Sequence, residues 1–479
     1  MTIASFAAVQ WVCLVYLAIV NLSYLTLNAI AFIVLGRSVR LLDIDIRHAC
    51  ADFEPPVTLI VPAFQEELTV VATVRSLMQL RYPQFEIVVV NDGSKDRTLQ
   101  ALIDAFELRP FPEAIRLRLE TARVRGVYRS PHYPDLRVID KENGGGKADA
   151  LNAGINVARY PLFCALDADG ILQPDSLRRV VRPFVEDART VATGGIVRIA
   201  NGCDVVGGWL VRAGLPRSPL ALLQVVEYCR AFLCGRLGWN PFNAVLVISG
   251  AFGVFHKETV IAAGGYRTDV SGEDMELIVR LHRLLRTSRT PYRITFVPDP
   301  VCWTEAPEHV RVLRRQRVRW QRGLCESLWL HRGLFCHPRS GFVGWLALPL
   351  ALIVECLSPV VESVGYLVLV VGYILGFVDV TLAMAFLVVS VGLGMLLSAS
   401  SLLLDELSFH TYPNARQVLG LFVAALVENF GYRQLTGVWR LEGLARWACG
   451  SRLHWGEMTR TGRWSTDLPS VDASGGGRS

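Results

Sequence analysis

From Ile3 to Gly36 the chain carries no Asp, Glu, Lys or Arg. An α-helix needs about 20 apolar residues to cross a hydrocarbon core, and this run is longer. The competing reading, a cleaved signal peptide, fits poorly: no basic segment precedes the run, and the apolar stretch is too long. Arg37, Arg40 and Arg47 follow at once, which places that end on the cytoplasmic side. Residues 1–40 are therefore expected to form a transmembrane segment.

The rest of the chain divides by composition. Of 479 residues, 52% are hydrophobic and 19% charged. Soluble domains carry about 25% charged residues, so the balance favours a membrane protein. Residues 50–340 depart from it. Short apolar runs alternate there with helical patterns, the signature of a βαβ sheet. Strands are expected at 57–61, 86–90, 136–140 and 162–166, with helices at 66–80, 95–107 and 147–158. The Pro-containing stretch 109–134 reads as an inserted loop. After Gly341 apolar segments return near 343–357, 360–377, 379–404 and 416–432, a bundle of three to four spans over 341–435. The first of these suits an interfacial or broken helix, because Glu355, Pro359 and Glu362 interrupt it. Glu355, Glu362 and Glu428 are candidates to line a polar path or to cap helices at the interface. In residues 436–479, Arg440, Arg446, Arg452, Arg460 and Arg463 interleave with Trp439, Trp447, Trp455 and Trp464. That mixture suits a segment on the cytoplasmic membrane surface, and its Ser/Gly-rich end is expected to be disordered.

The eleven Cys, from Cys13 to Cys449, contain no CxxC pair, so they read as buried thiols of a reducing compartment. The nine His form no HExxH cluster, and no metal is assigned to them. Only four of the 49 basic residues are Lys, which makes each Lys informative.

Five constellations carry chemistry. Ile87–Val90 runs into Asn91-Asp92-Gly93, putting Asp92 at the carboxyl edge of a parallel sheet, where ligands bind in open α/β folds. The bland alternative is a strand-to-helix turn capped by Asp. Leu166-Asp167-Ala168-Asp169-Gly170 also follows a strand. Carboxylates at i and i+2 of an extended chain point the same way and would give hard oxygens to Mg²⁺ or Mn²⁺; a solvated acidic turn is the alternative. Glu142-Asn-Gly-Gly-Gly-Lys147 opens a helix with free backbone N–H groups that suit phosphate, and Lys147 adds a cation for a diphosphate. It lacks the Ser/Thr and spacing of a P-loop, and a flexible loop is its plain reading. Ser271-Gly272-Glu273-Asp274 stands at the first turn of an expected helix, where acids are favoured in any case. Gln316, Arg319 and Trp320 are spaced i, i+3 and i+4, so they share one helix face. Six Arg lie between 311 and 322. Their place directly before apolar segments points to anionic lipid rather than nucleic acid.

In this order and spacing, Asp92, Asp167-Ala-Asp169, Gly272-Glu273-Asp274 and Gln316-x-x-Arg319-Trp320 resemble the membrane-bound, processive family 2 glycosyltransferases. These include the poly-N-acetylglucosamine, hyaluronan, cellulose and curdlan synthases. The resemblance covers about residues 50–335. It implies an α/β GT-A fold, Rossmann-like and cytosolic, flanked by transmembrane helices. It also implies a divalent metal, Mg²⁺ or Mn²⁺, and inverting transfer of a hexosyl or N-acetylhexosaminyl unit from a UDP-sugar. By position, Asp92 would read the uridine end and Asp169 would bind metal beside Asp167. Asp274 would be the general base, and Gln316, Arg319 and Trp320 would shape the acceptor and diphosphate site. Phe64, in Ala63-Phe-Gln-Glu66, stands where a Tyr often stacks on uracil, with Glu66 beside it on the donor side. Ser249-Gly250, Trp303 and Glu273 would line the acceptor side. Gly272 departs from the usual Thr before Glu-Asp. The C-terminal part is too short for an attached cyclic-di-GMP receptor domain.

The expected partners are a UDP-sugar, a glycan acceptor, membrane lipid, and a small membrane subunit or a second copy of the chain; nucleic acid is not expected. The expected location is the inner membrane, multi-pass, with the catalytic domain cytoplasmic. Two alternatives remain: a non-processive membrane enzyme decorating a lipid or lipid-linked glycan, and a non-catalytic receptor of the same fold, against which the intact acids argue.

Overall fold

The computed structural model describes residues 3–45, 54–206, 208–377 and 380–450. Arg47 and the tail residues Arg452, Trp455, Arg460, Arg463 and Trp464 lie outside them.

A ten-stranded mixed sheet organises the middle of the chain. Strand β1 (Val57–Ala63) pairs in parallel with β2 (Phe85–Asp92). Strands β3 (Arg109–Pro110) and β4 (Val124–Arg129) are antiparallel, and β4 runs antiparallel to β5 (Leu136–Lys141). Strand β5 pairs in parallel with β2, and β6 (Leu162–Leu166) in parallel with β1. The remaining strands are β7 (Ile171–Leu172), β8 (Thr190–Ile199), a separate hairpin of β9 (Asp204–Val206) and β10 (Trp209–Arg212), β11 (Phe252–His256) and β12 (Arg293–Thr304). The spatial order is β3-β4-β5-β2-β1-β6-β11-β8-β12-β7.

The parallel half grows outward from β1 in one direction through β2 and β5, and β6 then returns to its other side. That reversal puts the carboxyl ends of β1 and β6 at the switch point of the sheet, the place where α/β folds leave a crevice for ligands.

The sequence reason for this half is direct. Strands β1, β2, β5 and β6 are almost wholly buried, as near-continuous apolar runs in a covered parallel sheet should be. Ile60, Val88, Val138 and Phe163 are fully buried, each contributing about 1.5–3 kcal/mol. Phe163 and Phe255 stack across β6 and β11 at 5.3 Å. The expected loop at 109–134 holds β3 and β4 instead. Pro110 falls in a two-residue strand at the sheet edge, where a missing N–H breaks no ladder.

Among the described residues three helices are long and apolar enough to cross a membrane: Phe6–Gly36, Val343–Ile374 and Val380–Phe409. The segments expected separately at 343–357 and 360–377 run together, through π-helical turns at Val343–Ala347 and Ala351–Cys356. The segment expected at 416–432 is a 13-residue helix, Ala415–Val427, shorter than a span. Polar side chains join the apolar helices. Asn21 Nδ2 donates to the Val389 carbonyl at 3.2 Å, and Asn28 Nδ2 to Ser400 Oγ at 2.6 Å.

The sheet is tied to the third apolar helix by a buried bidentate ion pair. Arg198 of β8 donates to Asp405 at 2.6 and 3.1 Å. Two of the three glutamates flagged above are paired: Glu428 with Arg230 and Ser398, and Glu362 with Arg433 at 3.4 Å. Glu355 is exposed.

Candidate active site

The edge of the parallel sheet gathers the acids. Asp92 ends β2, buried, and its Oδ1 accepts from Lys141 Nζ and, at 3.2 Å, from the Gly144 N–H. Burial pushes the Asp92 carboxyl up, opposed by the Lys141 hydrogen bond and charge. Phe64 stands exposed just past β1. Glu66 organises the same turn: its carboxylate accepts from Thr69 Oγ1 at 2.6 Å, and its N–H donates to Thr98 Oγ1 at 2.9 Å.

The Gly-rich loop follows β5. Gly144 must lack a side chain, because a Cβ there would lie 2.1 Å from Asp149 Oδ2. The loop ends at Lys147, the first residue of the helix Lys147–Val157. Lys147 Nζ donates to Asp167 Oδ1 and, at 2.7 Å, to the Gly250 carbonyl. The Gly250 N–H in turn donates to Asp274 Oδ2 at 3.2 Å. One lysine and Gly250 therefore connect the Asp167 motif, the Ser249-Gly250 segment and Asp274.

The geometry at Asp167–Asp169 differs from the extended chain expected. The Gly170 N–H donates to the Asp167 carbonyl at 3.1 Å, closing a turn directly after β6. The Asp167 side chain keeps 31% exposure, whereas Asp169 is buried. Among the described residues no group of three or more His, Cys, Asp or Glu could hold a metal ion. Two carboxylates still supply hard oxygens that suit Mg²⁺ or Mn²⁺, provided that phosphate oxygens and water complete the shell. The residues fit a cation shared with a diphosphate rather than one caged by protein.

Asp274 is the second residue of the helix Glu273–Thr287, and its Oδ1 also accepts from the Met275 N–H at 2.8 Å. Burial and the neighbouring Asp274 push the Glu273 carboxyl up, while Arg319 and Lys147 pull it down. The helix Val310–Leu330 lies against this turn. Glu326 accepts from the Ser271 N–H at 2.6 Å and from Arg322 Nε at 2.6 Å. Gln316, Arg319 and Trp320 are on that helix. Trp320 is 43% exposed, with its ring 6.4 Å from Tyr228 and the Arg317 guanidinium 4.4 Å over it. Gln316 Oε1 is buried with no hydrogen-bond partner among the described residues.

Trp303 is a correction. It is 2% exposed and packs with Ala72, Ile171, Ala200 and Val205, so it is a core residue of β12 and offers no face to an acceptor. Three residues that motif reading passed over belong to the site. Lys141 is fully buried between Asp92 and Asp149. Tyr228 faces Trp320. Arg236 is pushed down to about 10 by burial and held up in part by the Asp274 charge. Arg236 closes a π-helical turn, Arg230–Arg236, a feature frequent at functional sites. Its period is not the 3.6 that pattern reading seeks.

A Rossmann-like parallel half-sheet with acids at its carboxyl edge, continued by a mixed half that brings Asp274 to the same edge, is the arrangement of a GT-A glycosyltransferase. The model of glycosyl transferase family 2 matches residues 58–207, and that of glycosyl transferase family group 2 matches residues 162–399. The chain belongs to glycosyltransferase family 2. It is 28% identical over 272 residues to the poly-beta-1,6-N-acetyl-D-glucosamine synthase of Staphylococcus epidermidis, covering 57% of this chain and 55% of that one. It is 29% identical, over the same shares, to the synthase of that name from Staphylococcus aureus. The chain thus spans about half the length of the curated relatives it matches. Among solved structures, a mannosyltransferase from Pyrobaculum calidifontis, in complex with GDP-Man and Mn²⁺, aligns at TM-score 0.48 and 17% identity. The alignment covers 91% of this chain and 100% of that one.

Proposed function

We propose that this glycosyltransferase moves a hexosyl or N-acetylhexosaminyl unit from a UDP-sugar to a growing polysaccharide, with inversion, at the cytoplasmic face of a membrane. Export of the product through the apolar helices completes the reading. The observation that carries it is the contact chain from Asp167 through Lys147 and Gly250 to Asp274, which puts the donor side and the base side within one side chain of each other.

Each residue has a task. Phe64 and Asp92 receive the nucleobase end of the donor, with Glu66 shaping the turn between them. A divalent cation, Mg²⁺ or Mn²⁺, held by Asp167 and Asp169 would supply charge to the leaving diphosphate. Lys147, Gln316 and Arg319 add donors and positive charge where that negative charge develops. The acceptor lies over Ser249-Gly250, beside Glu273, with Trp320 and Tyr228 offering aromatic faces. Asp274 takes the proton of the attacking hydroxyl. One carboxylate suffices, because a single displacement needs one base and inverts the anomeric carbon.

The membrane position rests on the three long apolar helices and on the Arg37, Arg40 and Arg47 cluster that follows the first. A small membrane subunit or a second copy of the chain completes the export path. The names of the relatives make N-acetylglucosamine the first sugar to try. The test is the purified full chain in lipid vesicles with radiolabelled UDP-sugars, each assayed singly. The expected product is a ladder or polymer, cut by a glycanase matched to the sugar. A single sugar added to lipid, whatever the donor and partner supplied, would replace this reading with the decorating enzyme.

A further inference from the structure

Lys147 sits where a cation is locally unfavourable. It is the first residue of an 11-residue helix, and the amino end of a helix carries partial positive charge that disfavours Lys. The ammonium is nonetheless drawn inward, to 12% side-chain exposure, by Asp167 Oδ1 and the Gly250 carbonyl. The same helix end is an anion site by its free N–H groups. Lys147 therefore has two competing partners within reach of one flexible stem: the carboxylate it now holds, and any diphosphate arriving at the helix.

We propose that Lys147 is an exchangeable counter-ion of Asp167, holding the carboxylate when no donor is present and passing to the diphosphate when nucleotide and divalent cation enter together. The proposal rests on the reading of Asp167 and Asp169 as metal ligands. Its physical basis is charge. An ammonium on Asp167 repels a divalent cation approaching the same oxygen, so metal alone binds poorly. A diphosphate offers Lys147 a richer set of oxygens and removes that repulsion. The exchange also reaches the base side, because Lys147 leaves the carbonyl of the residue whose N–H holds Asp274 Oδ2. Donor loading and the setting of Asp274 are thereby linked through Gly250.

The test measures Mn²⁺ binding by the free-ion electron paramagnetic resonance signal, on the full chain in detergent, without and then with UDP. Wild type is expected to bind Mn²⁺ weakly alone and much more tightly with UDP. K147M is expected to bind Mn²⁺ alone about tenfold more tightly than wild type, since one nearby positive charge is removed, and to gain less from UDP. K147R, which keeps the charge, should behave as wild type, and K147Q serves as a second neutral variant if K147M does not fold. Mn²⁺ affinity in the neutral variants equal to or below wild type, with D169N abolishing the UDP-dependent binding, overturns the exchange and leaves the metal site standing. No Mn²⁺ binding by any form, even with UDP, overturns both.

Discussion

A Cβ on Gly323 would lie 2.7 Å from the Cα of Gly272 and 2.8 Å from its nitrogen. The turn before Asp274 and the helix that carries Gln316, Arg319 and Trp320 thus meet backbone to backbone. Neither side can give way by rotating a side chain. G323A is therefore expected to push helix and turn apart by a few tenths of an ångström or more. Misplacement of that order lowers turnover by about ten- to a hundredfold, while UDP affinity, which in the proposed reading also draws on Phe64, Asp92 and Lys147 on other elements, falls by less. The check is a comparison of kcat with the UDP dissociation constant. Wild-type kcat in folded G323A would show that the close approach has no part in placing the helix.

The same pair bears on what could be read from sequence. Gly272 stood out as a departure from the Thr usual before Glu-Asp, with no reason visible. The reason is Gly323, fifty-one residues later, and no local pattern pairs two glycines at that distance. The parallel half of the sheet was legible because buried strands read as unbroken apolar runs. The edge strands around Pro110 and the π-helical turn ending at Arg236 were not, since neither carries a period of 2 or 3.6. Lys141 belongs to no motif, and its burial between two acids is a fact of tertiary packing. Trp303, placed on the acceptor side by the resemblance alone, packs in the core of β12. Asp167 and Asp169 are adjacent in a motif, yet the turn that follows β6 gives the two carboxylates unequal surroundings.

Asp274→Asn is expected to lower transfer by at least about a hundredfold, the order that a missing general base costs. The amide oxygen can keep only one of the two N–H groups that now hold the carboxylate, Gly250 on Oδ2 or Met275 on Oδ1; the helix that follows keeps its backbone bonds, and UDP should bind nearly as to wild type. Turnover and UDP titration on one preparation decide it. More than a few per cent of residual transfer would assign the base elsewhere.

Removing divalent cations with EDTA should stop transfer, and Mg²⁺ or Mn²⁺ should restore it. With two carboxylates and no third protein acid grouped with them among the described residues, the cation should be lost readily on dilution when no nucleotide is present. Full activity in the chelator would take the metal out of the mechanism.

The Arg198–Asp405 pair is buried on both sides and joins β8 to the third apolar helix. D405N leaves a buried guanidinium without its counter-charge, a change that costs about 3–5 kcal/mol. Replacing both partners by apolar side chains, as R198M with D405L, should recover much of that loss. Thermal unfolding in one detergent compares the three forms. If D405N melts with wild type, the pair contributes nothing to the docking of sheet on helix.

The last prediction concerns which side of the membrane the site faces. Nucleotide sugars are cytoplasmic, so the proposed reaction requires the sheet to lie there. The charge pattern agrees: the first apolar helix is followed by Arg37, Arg40 and Arg47, which favours a cytoplasmic place for the residues after it. Gln100 is an exposed position on the helix Thr98–Phe106 and suits a probe. In a background with Cys50, Cys336 and Cys449 changed to Ser, Q100C should resist a membrane-impermeant maleimide in intact cells and react fully once the cells are broken. A cysteine introduced at Thr2 should show the reverse. Labelling of Q100C from outside would put the catalytic edge away from its donor and remove the basis for cytoplasmic synthesis and export alike.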